Sequence, residues 1–308
     1  MHFPLPVVSS IIMFIILSVM LWRAYRKKFS SLSSWFLFFT GSALVFTFIF
    51  CCGTWAFTSL YARWFFLLIY ITGIIYSFNK HLKMPWRSDK IKSVWFAVSR
   101  VFVILIGGFL VYMYIDSGTY HSKPVELEFP YKNGTFYIMQ GGSNRLSNFF
   151  HSGFSKSHYG YAMDLAELNE FGNRAKSIYS SNLNDYEIFK DTIYSPCSGK
   201  IIRLVDGIKD NPPGELNTKQ VHGNHMVIES NGYWVFMAHL EAGKIFVKQG
   251  EMIRAGQPIA LQGNAGFTVE PHLHLNVLRD YDSVSNSGIS TPATFKGKFY
   301  TLNGIIKN

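Results

Sequence analysis

The chain has 308 residues, of which 48% are of apolar or aromatic type, and carries a formal net charge of +10. That length has room for about two domains. The charge is unevenly placed: residues 1–116 hold 11 Lys and Arg against 2 Asp and Glu, whereas residues 117–308 hold 18 against 17, so the second part carries no basic footprint and no nucleic-acid partner is expected.

Four apolar runs occupy the first part, at about 3–22, 34–57, 59–78 and 94–115, each near the roughly 20 residues that a helix needs to cross a bilayer. A transmembrane region is expected over 1–116, with the second and third runs forming a tight hairpin around Ser59-Leu60-Tyr61-Ala62-Arg63. Arg23, Arg26, Lys27 and Lys28 follow the first run, and Lys80, Lys83, Arg87, Lys90 and Lys92 separate the third from the fourth. An excess of basic residues marks cytoplasmic loops, so the fourth run exits outward and residues 117–308 lie outside the cytoplasm. The first run is not expected to be a cleaved signal, because its basic residues follow the apolar stretch rather than precede it. A multi-pass membrane protein is the expectation, with the lipid bilayer as one partner.

Residues 117–124 read as a linker, and 125–308 as a second domain. Short β-type runs follow one another at 125–129, 135–139, 161–165, 200–205, 225–229, 233–239, 258–262 and 272–277, separated by Gly, Asn and Pro. Such spacing predicts a mainly antiparallel β domain. Residues 166–190 read as an insertion or long loop, and Asp210-Asn211-Pro212-Pro213-Gly214 as a second loop at a groove wall. Cys51 and Cys52 lie in the second apolar run and Cys197 stands alone in the β domain, which excludes a disulfide there.

The chemistry concentrates in histidines. His272 and His274 are two apart in an apolar strand, so their imidazoles share a face. His239 ends another apolar run, and His158 precedes Asp164. Two histidines and one carboxylate are the ligand types of a catalytic zinc, with further histidines left for proton transfer. Asp164, between Met163 and Leu165, needs a metal or a salt bridge if it is buried. His222 and His225 read as groove-rim or strand residues, and His2, His81 and His121 as structural or solvated.

These motifs, taken in order with Val247-Lys248-Gln249-Gly250, Gly256-Gln257 and Gly263-Asn264-Ala265-Gly266, resemble those of the lysostaphin-type, LytM-like zinc endopeptidases, which are peptidoglycan hydrolases. The resemblance covers roughly 125–305. It implies a lysostaphin-like β sandwich with a groove, one Zn2+ per chain held by His158, Asp164 and His274, and His239 and His272 as the unligated catalytic pair. It also implies cleavage of peptide bonds in bacterial cell-wall peptidoglycan. Five residues separate His158 from Asp164 where the family pattern has three, and His151 stands as the reserve first ligand. An alternative is a non-catalytic envelope protein of the same fold that binds wall or activates another hydrolase. A third reading makes the helical region the main functional unit, with envelope proteins as its partners.

Overall fold

The computed structural model describes residues 5–87, 94–152 and 159–308. It divides into two compact units, Met1–Ile115 and Asp116–Asn308.

Among the described residues the first unit holds four long helices: α1 (Leu5–Arg26), α2 (Leu32–Cys52), α3 (Ala62–His81) and α4 (Val94–Asp116). All four are long and apolar enough to cross a membrane. Their outward faces are apolar, with Ile15, Phe65 and Leu105 all more than half exposed. Some polar side chains inside the unit pair with one another: Trp35 Nε1 donates to Ser77 Oγ at 3.1 Å and Tyr70 donates to Ser42 Oγ at 2.8 Å. Such pairing is what an apolar solvent demands. Helix α2 stops at Cys52, short of the apolar run's end at 57. Gly53 takes an extended backbone there, and Trp55–Phe57 form a separate single 3-10 turn, held by Trp55 Nε1 donating to the Ile49 carbonyl at 2.8 Å.

Among the described residues the second unit carries one short α-helix, α5 (Phe149–Ser152), a 3-10 turn at Leu183–Asp185 and thirteen strands. In chain order they are β1 (Val125–Leu127), β2 (Thr135–Gln140), β3 (Met163–Leu168), β4 (Thr192–Tyr194), β5 (Gly199–Val205), β6 (Asn224–Ser230), β7 (Tyr233–Ile245), β8 (Met252–Ile253), β9 (Pro258–Gln262), β10 (Leu273–Asp282), β11 (Ser287–Thr291), β12 (Ala293–Phe295) and β13 (Ile305–Lys307). The main sheet runs β13-β2-β3-β10-β7-β6-β5-β8, with β11 beside β10 and β9 joining β4 to β7. Every pairing in it is antiparallel. The two-stranded β1–β12 pair is parallel.

Alternation along the strands splits the side chains between two faces. Ile138, Leu165, Met226, Ile228, Met237, Leu240, Leu273 and Leu275 join one large buried cluster. Val227, Phe236 and Ala238 form a smaller one on the other face. Burying this much apolar surface needs no disulfide, and the three cysteines are free. The structure adds strands where the composition gave no apolar run, such as β4 and β13. Both borrow their partners from distant strands, β9 and β2.

Candidate metal centre

One row of cross-strand partners builds the site. Asp164 on β3 pairs with His274 on β10, His274 pairs with Ala238 on β7, and Ala238 pairs with His225 on β6. Directly opposed residues put their side chains on the same face, so Asp164 and His274 project together. His272, two residues earlier, follows them by strand alternation.

Hydrogen bonds decide what each nitrogen offers. Asn148 donates through its amide to the carbonyls of Gly142 and Ala162, both at 3.0 Å. Its Oδ1 is therefore the acceptor for His151 Nδ1, 2.7 Å away. His151 Nδ1 thus carries the hydrogen and Nε2 a lone pair, and that Nε2 lies 3.4 Å from Asp164 Oδ1. His272 is arranged alike: Nδ1 donates to the Glu270 carbonyl at 2.8 Å, leaving Nε2 bare at 3.6 Å from the same carboxylate oxygen. His274 Nδ1 stands 3.1 Å from that oxygen, and its buried Nε2 has no hydrogen-bond partner among the described residues.

Lone pairs facing a carboxylate oxygen inside a protein call for a cation or a proton between them. Among the described residues, Asp164 has ion-pair contacts with these three imidazoles and with no Lys or Arg. His151, Asp164 and His274 are all buried, and their donor atoms lie within 4.8 Å of one another. Two imidazoles and a carboxylate at this spacing suit a divalent ion of the zinc type. Burial opposes the charge of Asp164, yet His151, His272 and His274 hold its carboxyl well below the ordinary carboxylate range. Burial pushes the His151 imidazole down to about 4, against the pull of Asp164. The same desolvation, reinforced by His272 and His274, keeps His239 well below its ordinary value.

His239 reaches the site by breaking the strand rule. Its neighbours Met237 and Leu240 belong to the large core cluster while Ala238 faces the site, so regular alternation would send the His239 ring into the core. A left-handed backbone, φ 67°, turns it back. Its ring then lies 4.9 Å from that of His272 and 6.1 Å from that of His274, centroid to centroid. His239 Nδ1 donates to the Ala265 carbonyl at 2.8 Å, which leaves Nε2 for other work. Non-glycine residues in this region are strained and concentrate at functional sites.

The structure therefore brings together Asp164, His239, His272 and His274 of the residues named from sequence. His158 lies outside the described residues. His151, the reserve candidate, stands in the cluster, carried by α5. His222 and His225 sit beside it without joining it: Tyr159 Oη lies 2.8 Å from His222 Nε2, and His225 Nδ1 donates to the Gly223 carbonyl at 2.8 Å. Asn224 clasps neighbouring chain, accepting from Ile208 N–H at 2.8 Å and donating to the Leu240 carbonyl at 2.9 Å. The Cys197 thiol is buried and pushed up to about 11 by desolvation, which makes it a poor nucleophile.

Sequence reasoning missed the supporting residues. Asn148 sits three residues before His151 on one helical turn, a same-face spacing that is legible once the helix is suspected. Gln262 Nε2 reaches the carbonyls of His239 and His272 at 3.1 and 2.6 Å, while its Oε1 accepts from Tyr131 at 2.8 Å. Nothing local marks a strand-end glutamine for that task.

Comparison with known proteins bears on the same region. Residues 184–286 match the model of Peptidase family M23, a span that includes His239, His272 and His274 and excludes His151 and Asp164. Peptidoglycan DD-endopeptidase ShyB of Vibrio cholerae serotype O1 is 45% identical over 56 residues, which are 18% of this chain and 13% of that protein. Peptidoglycan DD-endopeptidase ShyA of the same organism is 39% identical over 56 residues, with the same coverage. The chain thus matches only 13% of the length of these curated relatives. The catalytic domain of the antimicrobial peptidase lysostaphin from Staphylococcus simulans is 19% identical, with 52% of this chain and 88% of that chain covered and a TM-score of 0.28.

Proposed function

We propose that this protein, whose residues 184–286 match the model of Peptidase family M23, is a membrane-anchored zinc metalloendopeptidase that hydrolyses peptide bonds in bacterial cell-wall peptidoglycan. The observation that carries the reading is the convergence of His151 Nε2 and His274 Nδ1 on one oxygen of a buried carboxylate that, among the described residues, has no Lys or Arg beside it. His151, Asp164 and His274 are the proposed ligands, and His239 and His272 the proposed catalytic pair. The four apolar helices anchor the chain in the membrane, and the basic loops around them orient the peptidase unit away from the cytoplasm.

Zinc held by the three ligands would supply Lewis acidity to the water and the scissile carbonyl. Proton transfer falls to the protein. His272 and His239 each have Nδ1–H fixed on a carbonyl, so each presents an unprotonated Nε2 that can take the proton of the attacking water. Once protonated, the same ring donates to the departing amine. Fixing both tautomers in advance spares the site that reorganisation during reaction.

The test is digestion of purified cell wall by the full chain in detergent, with released peptides identified by mass spectrometry. New amino termini are expected, lost with a chelator, restored by zinc and absent from His274→Ala. Wall binding without any new terminus would instead indicate the non-catalytic reading.

A further inference from the structure

Arg174 and Glu270 form an ion pair inside the fold, between a loop outside the family match and the loop that precedes β10. Arg174 Nε donates to Glu270 Oε1 at 2.6 Å and Arg174 Nη2 to Glu270 Oε2 at 2.7 Å. The two side chains are 1% and 5% exposed. Arg174 is held in turn from its own loop. Nη2 also donates to the Ile178 carbonyl at 3.0 Å, its guanidinium lies 5.7 Å from the Tyr186 ring centroid, and its carbonyl accepts from Glu187 N–H at 3.0 Å.

Glu270 connects this anchor to the chemistry. Its backbone carbonyl accepts His272 Nδ1–H at 2.8 Å, and the Thr268 hydroxyl lies 2.7 Å from the same carbonyl. The carbonyl that selects the His272 tautomer therefore belongs to the residue whose side chain Arg174 grips in two-point fashion. A planar fork on a carboxylate fixes orientation as well as distance. A buried ion pair is by itself weak evidence for stability, so geometry is the more specific thing this one provides. We propose that Arg174 is a positioning residue for peptide hydrolysis: through Glu270 it holds the loop that aims His272 Nε2 at the reacting water. The proposal rests on the peptidase reading above.

The experiment uses the full chain in detergent and two variants, Arg174→Lys and the double substitution Arg174→Met with Glu270→Met. The first keeps the charge without the fork. The second removes the ion pair while leaving apolar side chains of similar length, so that neither charge is stranded. Amide exchange is read over residues 263–272, with zinc per chain and the kcat and KM for wall-peptide release. Both variants are expected to show exchange over 263–272 about 10-fold faster than the parent while β6 and β7 are unchanged. Their kcat should fall roughly 10–100-fold, with KM and zinc content within about twofold. Parental exchange over 263–272 and parental kcat in both variants would overturn the proposal. So would a kcat loss matched by faster exchange throughout the carboxy-terminal unit or by lost zinc. Should the parent release no wall peptide, the peptidase reading fails separately, and the exchange over 263–272 still decides whether Arg174 holds this loop.

Discussion

His151 Nε2 faces Asp164 Oδ1 across 3.4 Å while the other nitrogen of the same ring is committed to Asn148. The pairing joins a one-turn helix to a central strand, and Asn148 ties both down by reaching Gly142 on one side and Ala162 on the other. An imidazole so constrained presents one lone pair in one direction, which is what a metal ligand requires.

Replacement of His151 should therefore empty the site. His151→Ala in the full chain is expected to lose zinc on dialysis, read as metal per chain by plasma mass spectrometry, whereas His158→Ala should retain it. The reverse pattern would transfer the ligand role to His158.

Asn148 orients the proposed ligand His151 by accepting from its Nδ1. Asn148→Ala should weaken zinc affinity by about 10–100-fold through loss of the ring's orientation, measured by competition with a chelator of known affinity. An unchanged affinity would mean that the His151 ring is held by packing alone.

The contribution of Glu167 to stability should fall with rising pH. Burial, with a hydrogen bond to Asp191 and the nearby charges of Asp191 and Glu187, pushes its carboxyl up to about 8, and burial raises Asp191 as well. A folded-state value above the unfolded one means that the stabilisation is fully present below about 4.5 and is lost as pH rises through about 8. The melting temperature of the parent relative to that of Glu167→Gln should therefore decline between pH 5 and 8.5, a comparison in which the buried histidines cancel. A decline of the same slope in the variant would assign it to other groups.

Gly223 supports the loop on which His239 leans. Its backbone is left-handed, φ 56°, and an added Cβ would run into the Ala265 carbonyl, the acceptor for His239 Nδ1. Gly223→Ala should cost more than about 1–3 kcal/mol, seen as a lower melting temperature, and should lower kcat through displacement of His239. A variant with parental melting temperature and kcat would show that the loop yields freely.

Much of the architecture was legible beforehand because it depends on local pattern. Apolar runs near the bilayer's thickness mark α1 to α4, and alternation bounded by Gly and Asn marks β2, β5, β6, β7 and β9. The His272 and His274 spacing placed two imidazoles on one face, since side-chain period in a strand is purely local. The limits are equally physical. His151 sits on a four-residue helix with no periodicity to announce it, and β4, β8 and β13 are too short to carry a pattern of their own.

The sequence by itself determined which stretches are lipid-compatible, where most of the longer strands run, and that His158, Asp164, His239, His272 and His274 are the candidates for metal chemistry, because those depend on composition and on neighbours a few residues away. Only the tertiary structure decided that His151 meets Asp164, that a left-handed kink swings His239 out of the core, and that Arg174 grips Glu270 from 96 residues away. Each of these is a contact between segments whose separation along the chain leaves no local trace, and each is fixed by strand register and hydrogen bonding rather than by residue type.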